Sequence, residues 1–284
     1  MKNIFTLICI LFTFISFAQD SIKIQERQEN FSVGMKNSLV SNIPLGTVDL
    51  AMDVVKDVVK KFKGKINGKD EIFVEQATKS TISEKAIDIY IKVIENAGNR
   101  LELAVAVDLG GAYLSKEKHP DMYRNAERKI YEIVKRIATE AVDLEVKEEE
   151  KKLSDLEKDL DNLVKDKEKL EKSIEKNNED IAGYKNEIKL NEASQEGTKK
   201  EIETLHGHSN TDADALKDKN KELDKLIKDK EKLEKKIEGA EKDIKKAQDD
   251  IKTNESSQES KKKEIEDQKK HIEENVKSKY AKIK

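Results

Sequence analysis

Four histidines and one cysteine are the chain's whole stock of imidazole and thiol, so metal and thiolate chemistry have few places to reside. His206 and His208 stand two apart in "HGHSNTDAD", and His271 follows His208 by one sequence repeat. A metal centre needs three or four converging ligands with supporting hydrogen bonds. Two imidazoles in a polar turn and a third far along an extended rod do not converge, and they read as solvated turn residues. His119, directly before Pro120, marks the start of a helix.

"DLGGAYLS", from Asp108, sets two glycines behind a strand, as a phosphate-cradling turn would. It has neither the spacing of a dinucleotide fingerprint nor a Gly-Lys-Ser/Thr ending, so a strand-ending turn or bulge accounts for it. Serines and carboxylates are plentiful, yet there is no nucleophile elbow, no HExxH and no Cys/His pair. The sequence therefore nominates no catalytic, cofactor-binding or metal residues, and the expectation is a protein without cofactor that is not an enzyme.

The one cysteine, Cys9, lies inside "MKNIFTLICILFTFISFA". A lysine at position 2, an apolar run from Ile4 to Phe17 and the small-x-small triplet Ser16-Phe17-Ala18 make residues 1–18 a signal peptide. The run is short of the about 20 residues that a membrane span needs. A cleaved chain would start near Gln19, with no cysteine left for disulfides and no transmembrane span. Localisation is expected to be periplasmic or extracellular.

Composition divides what remains. The chain is 40% charged against 36% hydrophobic, and the charge gathers beyond residue 147, where no globular core can form. Lysines there interleave with acids and the net charge is −3, which argues against a nucleic-acid surface. Arginine is confined to Arg27, Arg100, Arg124, Arg128 and Arg136.

Residues 19–145 form the head. Ile22/Ile24 and Phe31/Val33/Met35 suggest one or two strands, and Thr47 caps a helix that carries Val48, Met52, Val55, Val58, Val59 and Phe62 up to Gly64. Three strands follow in "EIFVEQATKS", "AIDIYIKVI" and "RLELAVAVDL", the last two joined by the hairpin connection "ENAGNR". Ile87, Ile89, Ile91 and Val93, with Leu101, Leu103, Val105 and Val107, point one way. Asp88, Tyr90, Lys92, Glu102, Ala104 and Ala106 point the other, onto a face expected to be solvated or partly covered. A second helix from Pro120 carries Tyr123, Ala126, Ile130, Ile133, Ile137, Ala141 and Leu144. The fold class expected is an α+β two-layer sandwich, an antiparallel sheet with two helices on one face.

A long all-α antiparallel coiled-coil hairpin is expected to follow, with a first helix over 146–206, a turn over 207–212 and a second helix over 213–284. Leu153, Leu160, Ile174, Ile181, Ile188 and Ile202 share one heptad position, and Leu156, Leu163, Leu170, Tyr184 and Leu205 the other. "LVKDKEKLEK" at Leu163 recurs as "LIKDKEKLEK" at Leu226, in the same frame. Parallel pairing of two chains would set each of Lys167, Lys219, Lys230 and Lys261 against its own copy inside the seam. Antiparallel folding avoids this, and the register with its turn between Asn210 and Thr211 sets Leu205 against Leu216, Ile188 against Leu233, Leu170 against Ile251 and Leu156 against Ile265; a shift of one heptad outward gives as many apolar pairs but sets Lys167 against Lys261. The first of these registers also sets Lys167 against Asn254 and Asn191 against Lys230, images of each other under the duplication.

The function expected from these features is that of an exported, non-enzymatic coiled-coil protein, a binding, scaffold or spacer component of the bacterial cell envelope. Its partner would be an envelope protein or other envelope component, with self-association through the coil as a further possibility. The alternative is a small-ligand-binding α+β domain on a coiled-coil arm, the ligand held between helices and sheet.

Overall fold

The structure, a computed structural model, describes residues 21–207 and 213–283. The expected signal peptide and, in the turn, residues 208–212 lie outside the described residues. In chain order the elements are β1 (Ile24–Phe31), β2 (Gly34–Ile43), α1 (Val48–Val59), β3 (Lys65–Asn67), β4 (Glu71–Ala77), β5 (Ile87–Asn96), β6 (Arg100–Asp108), α2 (Pro120–Gly207) and α3 (Ala213–His271). A π turn over Ile272–Val276 and a 3-10 turn over Lys277–Lys282 end the chain's described part.

All six strands pair antiparallel in the order β1-β2-β6-β5-β4-β3. Strict alternation on β5 and β6 puts Ile89, Ile91, Leu103, Val105 and Val107 on one face, all nearly sealed from solvent. Against that face lie Ala51, Val54, Val55 and Val58 of α1 and Tyr123, Ala126, Ile130, Ile133 and Ile137 of α2, in a single apolar cluster. The local signals agree with the packing. Thr47 Oγ1 accepts a hydrogen bond from the Leu50 amide at 3.2 Å, the N-cap that a threonine before a helix supplies. Arg136 on α2 then ties the two helices together, donating to Asp57 of α1 at 2.6 Å and to its own helix neighbour Glu140 at 2.7 Å.

On the opposite face the covered alternative holds at its centre, and the open, solvated one does not. Ala104, Ala106 and Val40 there have no exposed area, and Phe31 retains 3%. The tip of the β1–β2 hairpin crosses this face and reaches strands that it does not pair with. Ser32 donates to Glu71 of β4 through its amide at 2.9 Å and its hydroxyl at 2.5 Å, and Lys92 of β5 donates to the Asn30 carbonyl at 2.6 Å. The physical reason lies in the alanines: two one-carbon side chains on β6 leave a hollow that the Phe31 ring helps to fill.

The chain divides into two compact units, residues 1–151 with 269–284, and residues 152–268. In the first unit the C-terminal turns pack beside the sheet-bearing part of the chain. Ile283 joins Ala138, Val142, Leu45 and Val146 in an apolar cluster. Tyr280 Oη donates to Asp143 at 2.5 Å, and Lys279 Nζ reaches both Glu145 oxygens at 2.6 Å. The second helix, expected over 213–284, is α-helical to His271 and continues in the π and 3-10 turns to Lys282, and Ile272, Val276 and Ile283 are buried in this strap.

In the second unit the contacts between α2 and α3 run in opposite chain directions. Lys167 meets Glu255 at 2.7 Å, Lys230 meets Glu192 at 2.6 Å, Lys219 meets Glu201 at 2.7 Å and Lys261 meets Asp159 at 3.7 Å. Ile181, Thr198, Leu233, Ala247 and Ile265 are the side chains most withdrawn from water. Asn254 Nδ2 donates to the Leu163 carbonyl at 3.0 Å and its oxygen accepts from Gln258 at 2.8 Å, while Asn191 accepts from Gln195 at 2.7 Å. Among the described residues no helix is long and apolar enough to cross a membrane.

Candidate functional site

The hairpin that crosses the outer face is held by a clasp of charges. Arg27 of β1 grips Glu102 of β6 with both guanidinium nitrogens, at 2.7 and 3.2 Å, and gives its Nε proton to Glu29 at 2.6 Å. Glu29 lies 3.5 Å from Lys92, and Asn96 donates to Glu102 at 2.9 Å. Because β2 separates β1 from β6 in the sheet, the Arg27–Glu102 contact spans a strand. The clasp is charge-balanced, and its four ionised side chains are only 15–33% exposed.

These surroundings displace the acid equilibrium of Glu102. The hydrogen bonds from Arg27, then from Asn96, hold its carboxyl below the ordinary value of 4.5 against the opposing effect of burial. A carboxylate with a lowered folded-state pKa contributes stability that is complete above its unfolded value and is lost as pH falls through the folded one. We expect Glu102→Gln to cost about 1–3 kcal/mol at neutral pH. The gap from wild type should narrow between pH 5 and pH 3, as read from urea midpoints at each pH; a gap independent of pH would refute the clasp's ionic character.

Beside the clasp lies an aromatic group. The rings of Phe73 and Tyr90 stack at 4.6 Å, Phe31 meets Tyr90 edge-on at 6.3 Å, and the Lys92 ammonium sits 5.0 Å over Phe31. Burial raises the phenols of both Tyr90 and Tyr113 above their ordinary value. On the other side opens a trough of about 790 Å³. Pro44 and Ala97 give it apolar surface, the Arg27–Glu102 pair lies in it, and Lys23, Asn42, Asn96, Asn99 and Arg100 supply polar groups. The β5–β6 turn that makes one lip holds Gly98 and Asn99 at φ 81° and 56°, left-handed positions that glycine and asparagine tolerate best.

A second cleft, about 690 Å³, lies at the start of α2 between Ser83, Lys85, His119, Asp121 and Asn125. His119 Nδ1 accepts from the Ser115 amide at 3.4 Å, which leaves Nε2 to carry the proton of a neutral ring. Ser83 Oγ accepts from the Lys85 amide rather than standing beside a base. Thr81, on the rim, is a β-branched residue at φ 60°. The cleft offers polar groups and shape but no assembled nucleophile and base.

The other residues singled out in the sequence fall where their local chemistry puts them. The two glycines of "DLGGAYLS" form a turn in which the amides of Gly110 and Gly111 donate to Asp108 Oδ1, at 2.9 and 3.4 Å, so the strand caps its own end. His206 is exposed in the last turn of α2, and His271 lies 3.0 Å from the Asn275 amide nitrogen. His206 and His271 belong to different compact units, and His208 lies outside the described residues. Among the described residues no group of three or more histidines, cysteines and carboxylates is disposed to hold a metal. The trough itself had no sequence signal, because its walls come from three segments, around residues 21–27, 40–44 and 96–102.

No protein-family model matches the chain, and a comparison with curated proteins finds no match.

Proposed function

We propose that the protein is an exported, non-enzymatic binding component of the cell envelope, in which the α+β head engages an envelope partner through its clasped outer face. In this reading the two long helices form an antiparallel coiled-coil hairpin that serves as spacer or assembly arm. The observation that carries the arm is the pair of repeat-related contacts, Lys167 with Glu255 and Lys230 with Glu192. Each places a seam lysine of one copy against the glutamate that follows the asparagine of the other. Such polar layers fix register at some cost in stability. For the head, support comes from the trough, a concavity whose polar side chains are gathered by the fold from separate segments.

The arm has a direct test. Cysteines at Leu170 and Ile251, in a cleaved chain lacking Cys9, should form a disulfide within one monomer, seen as a faster band on a non-reducing gel. Crosslinks found only between chains would refute the hairpin. The binding role is tested in cells with a photo-crosslinking residue at Asn99, on the trough's lip, and another at Leu190, which is 72% exposed on α2. A discrete adduct at either site, absent from a probe at Lys56 on α1, is the expected result. Turnover of an envelope substrate by the purified protein would refute the non-enzymatic reading.

A further inference from the structure

Charge in the trough is one-sided. Its lining includes three cations, Lys23, Arg27 and Arg100, and a single carboxylate, Glu102. That carboxylate is already held by Arg27 and Asn96. Lys23 and Arg100 make no ion pair among the described residues, although Arg100 is near enough to help depress Glu102.

The choice of arginine at one lip carries weight in a lysine-rich chain. Of five arginines, Arg27, Arg124 and Arg136 each grip a carboxylate of the chain itself. Among the described residues neither Arg100 nor Arg128 has such a partner, and of the two it is Arg100 that lines a concavity, one that Lys23 lines as well. A guanidinium presents a planar fork suited to two oxygens of one anionic group, which a lysine ammonium does not. Around it, Asn99 brings an amide group suited to polar oxygens, and Pro44 and Ala97 give a little apolar surface.

We infer that the trough is a binding site for an anionic group, a carboxylate or phosphate, with Arg100 and Lys23 gripping the charge. The clasp beneath would then do two jobs: it keeps the hairpin over the sheet and it neutralises Glu102, which would otherwise repel the ligand. This deepens the reading of the head as the binding end and rests on it.

The test is isothermal titration calorimetry on the full cleaved chain with two probes of like charge, inorganic tripolyphosphate and a triglutamate peptide. Binding of either, weakened about tenfold or more in Lys23→Glu/Arg100→Glu, is the expected result. Lys228→Glu on the arm should leave it unchanged. Heat with tripolyphosphate alone assigns a phosphate-bearing ligand, and heat with triglutamate alone a carboxylate. No binding of either probe, or equal affinity in the double variant, overturns the inference. Far-ultraviolet circular dichroism and an unchanged urea midpoint establish that the double variant is folded. If an Asn99 photo-adduct persists in that variant, the anion site fails while the binding role of the head survives.

Discussion

Phe31→Ala should cost about 3–5 kcal/mol of head stability, the range for removing a buried aromatic ring. The ring is 3% exposed and packs in one cluster with Val40, Ala104 and Ala106, which Tyr90, Ile94 and Tyr113 flank. Its loss would also leave Lys92 without the ring beneath its ammonium and Tyr90 without its edge-on neighbour. The expected signature is selective. Amides of β1, an edge strand, should exchange with solvent far faster than those of β5, which is paired on both sides. Uniform acceleration across the sheet would mean that the hairpin is part of the central folding unit rather than a cover over a finished sheet. Phe31→Leu, which retains most of the apolar volume, should recover most of the loss.

Deleting residues 277–284 should free the α2 segment beneath the strap. Burying one isoleucine is worth about 1.5–3 kcal/mol, and Ile283 is 5% exposed. On this ground alone, amide exchange around Ala138, Val142 and Val146 should accelerate about ten- to a hundredfold, since about 1.4 kcal/mol is a factor of ten. The polar contacts of Lys279 and Tyr280 lie nearer solvent and add less. Their geometry still leaves a readable mark: the hydrogen bond to Asp143, with burial second, pushes the Tyr280 phenol up to about 12. Ile283→Asp in the intact chain should reproduce most of the exchange change. If it does not, the strap is held by its polar contacts and the apolar account is wrong.

The strands that alternate without interruption were legible in the sequence. Ile87 to Val93 and Leu101 to Val107 repeat with period two, and both became central strands. Thr47 and Pro120 marked the starts of α1 and α2 because capping and proline chemistry act within a few residues. The curl of the β1–β2 hairpin was not legible. Phe31, Val33 and Met35 look like one alternating face, yet the turn falls among them, with Gly34 at φ 91°, so Phe31 is buried while Val33 and Met35 are 46% and 60% exposed. Nor was β3 legible, since "KIN" is three residues with a single apolar one and is held by pairing to β4. The trough and the clasp depend on residues far apart in the chain, such as Arg27 and Glu102, which no local pattern connects.

The doubled segment also makes the gene's own copying errors meaningful. Recombination between the stretches encoding "LVKDKEKLEK" and "LIKDKEKLEK" would excise one repeat together with "HGHSNTDAD", the stretch between them. The repeats share one heptad frame, so the shortened product would join the start of α2 to the end of α3 without a stutter in the seam. It would be a single uninterrupted helix with no partner in its own chain. One genetic event would thus turn a proposed monomeric hairpin into an obligate associating strand, and because the turn goes with the excised repeat, duplicating what remains would not bring it back.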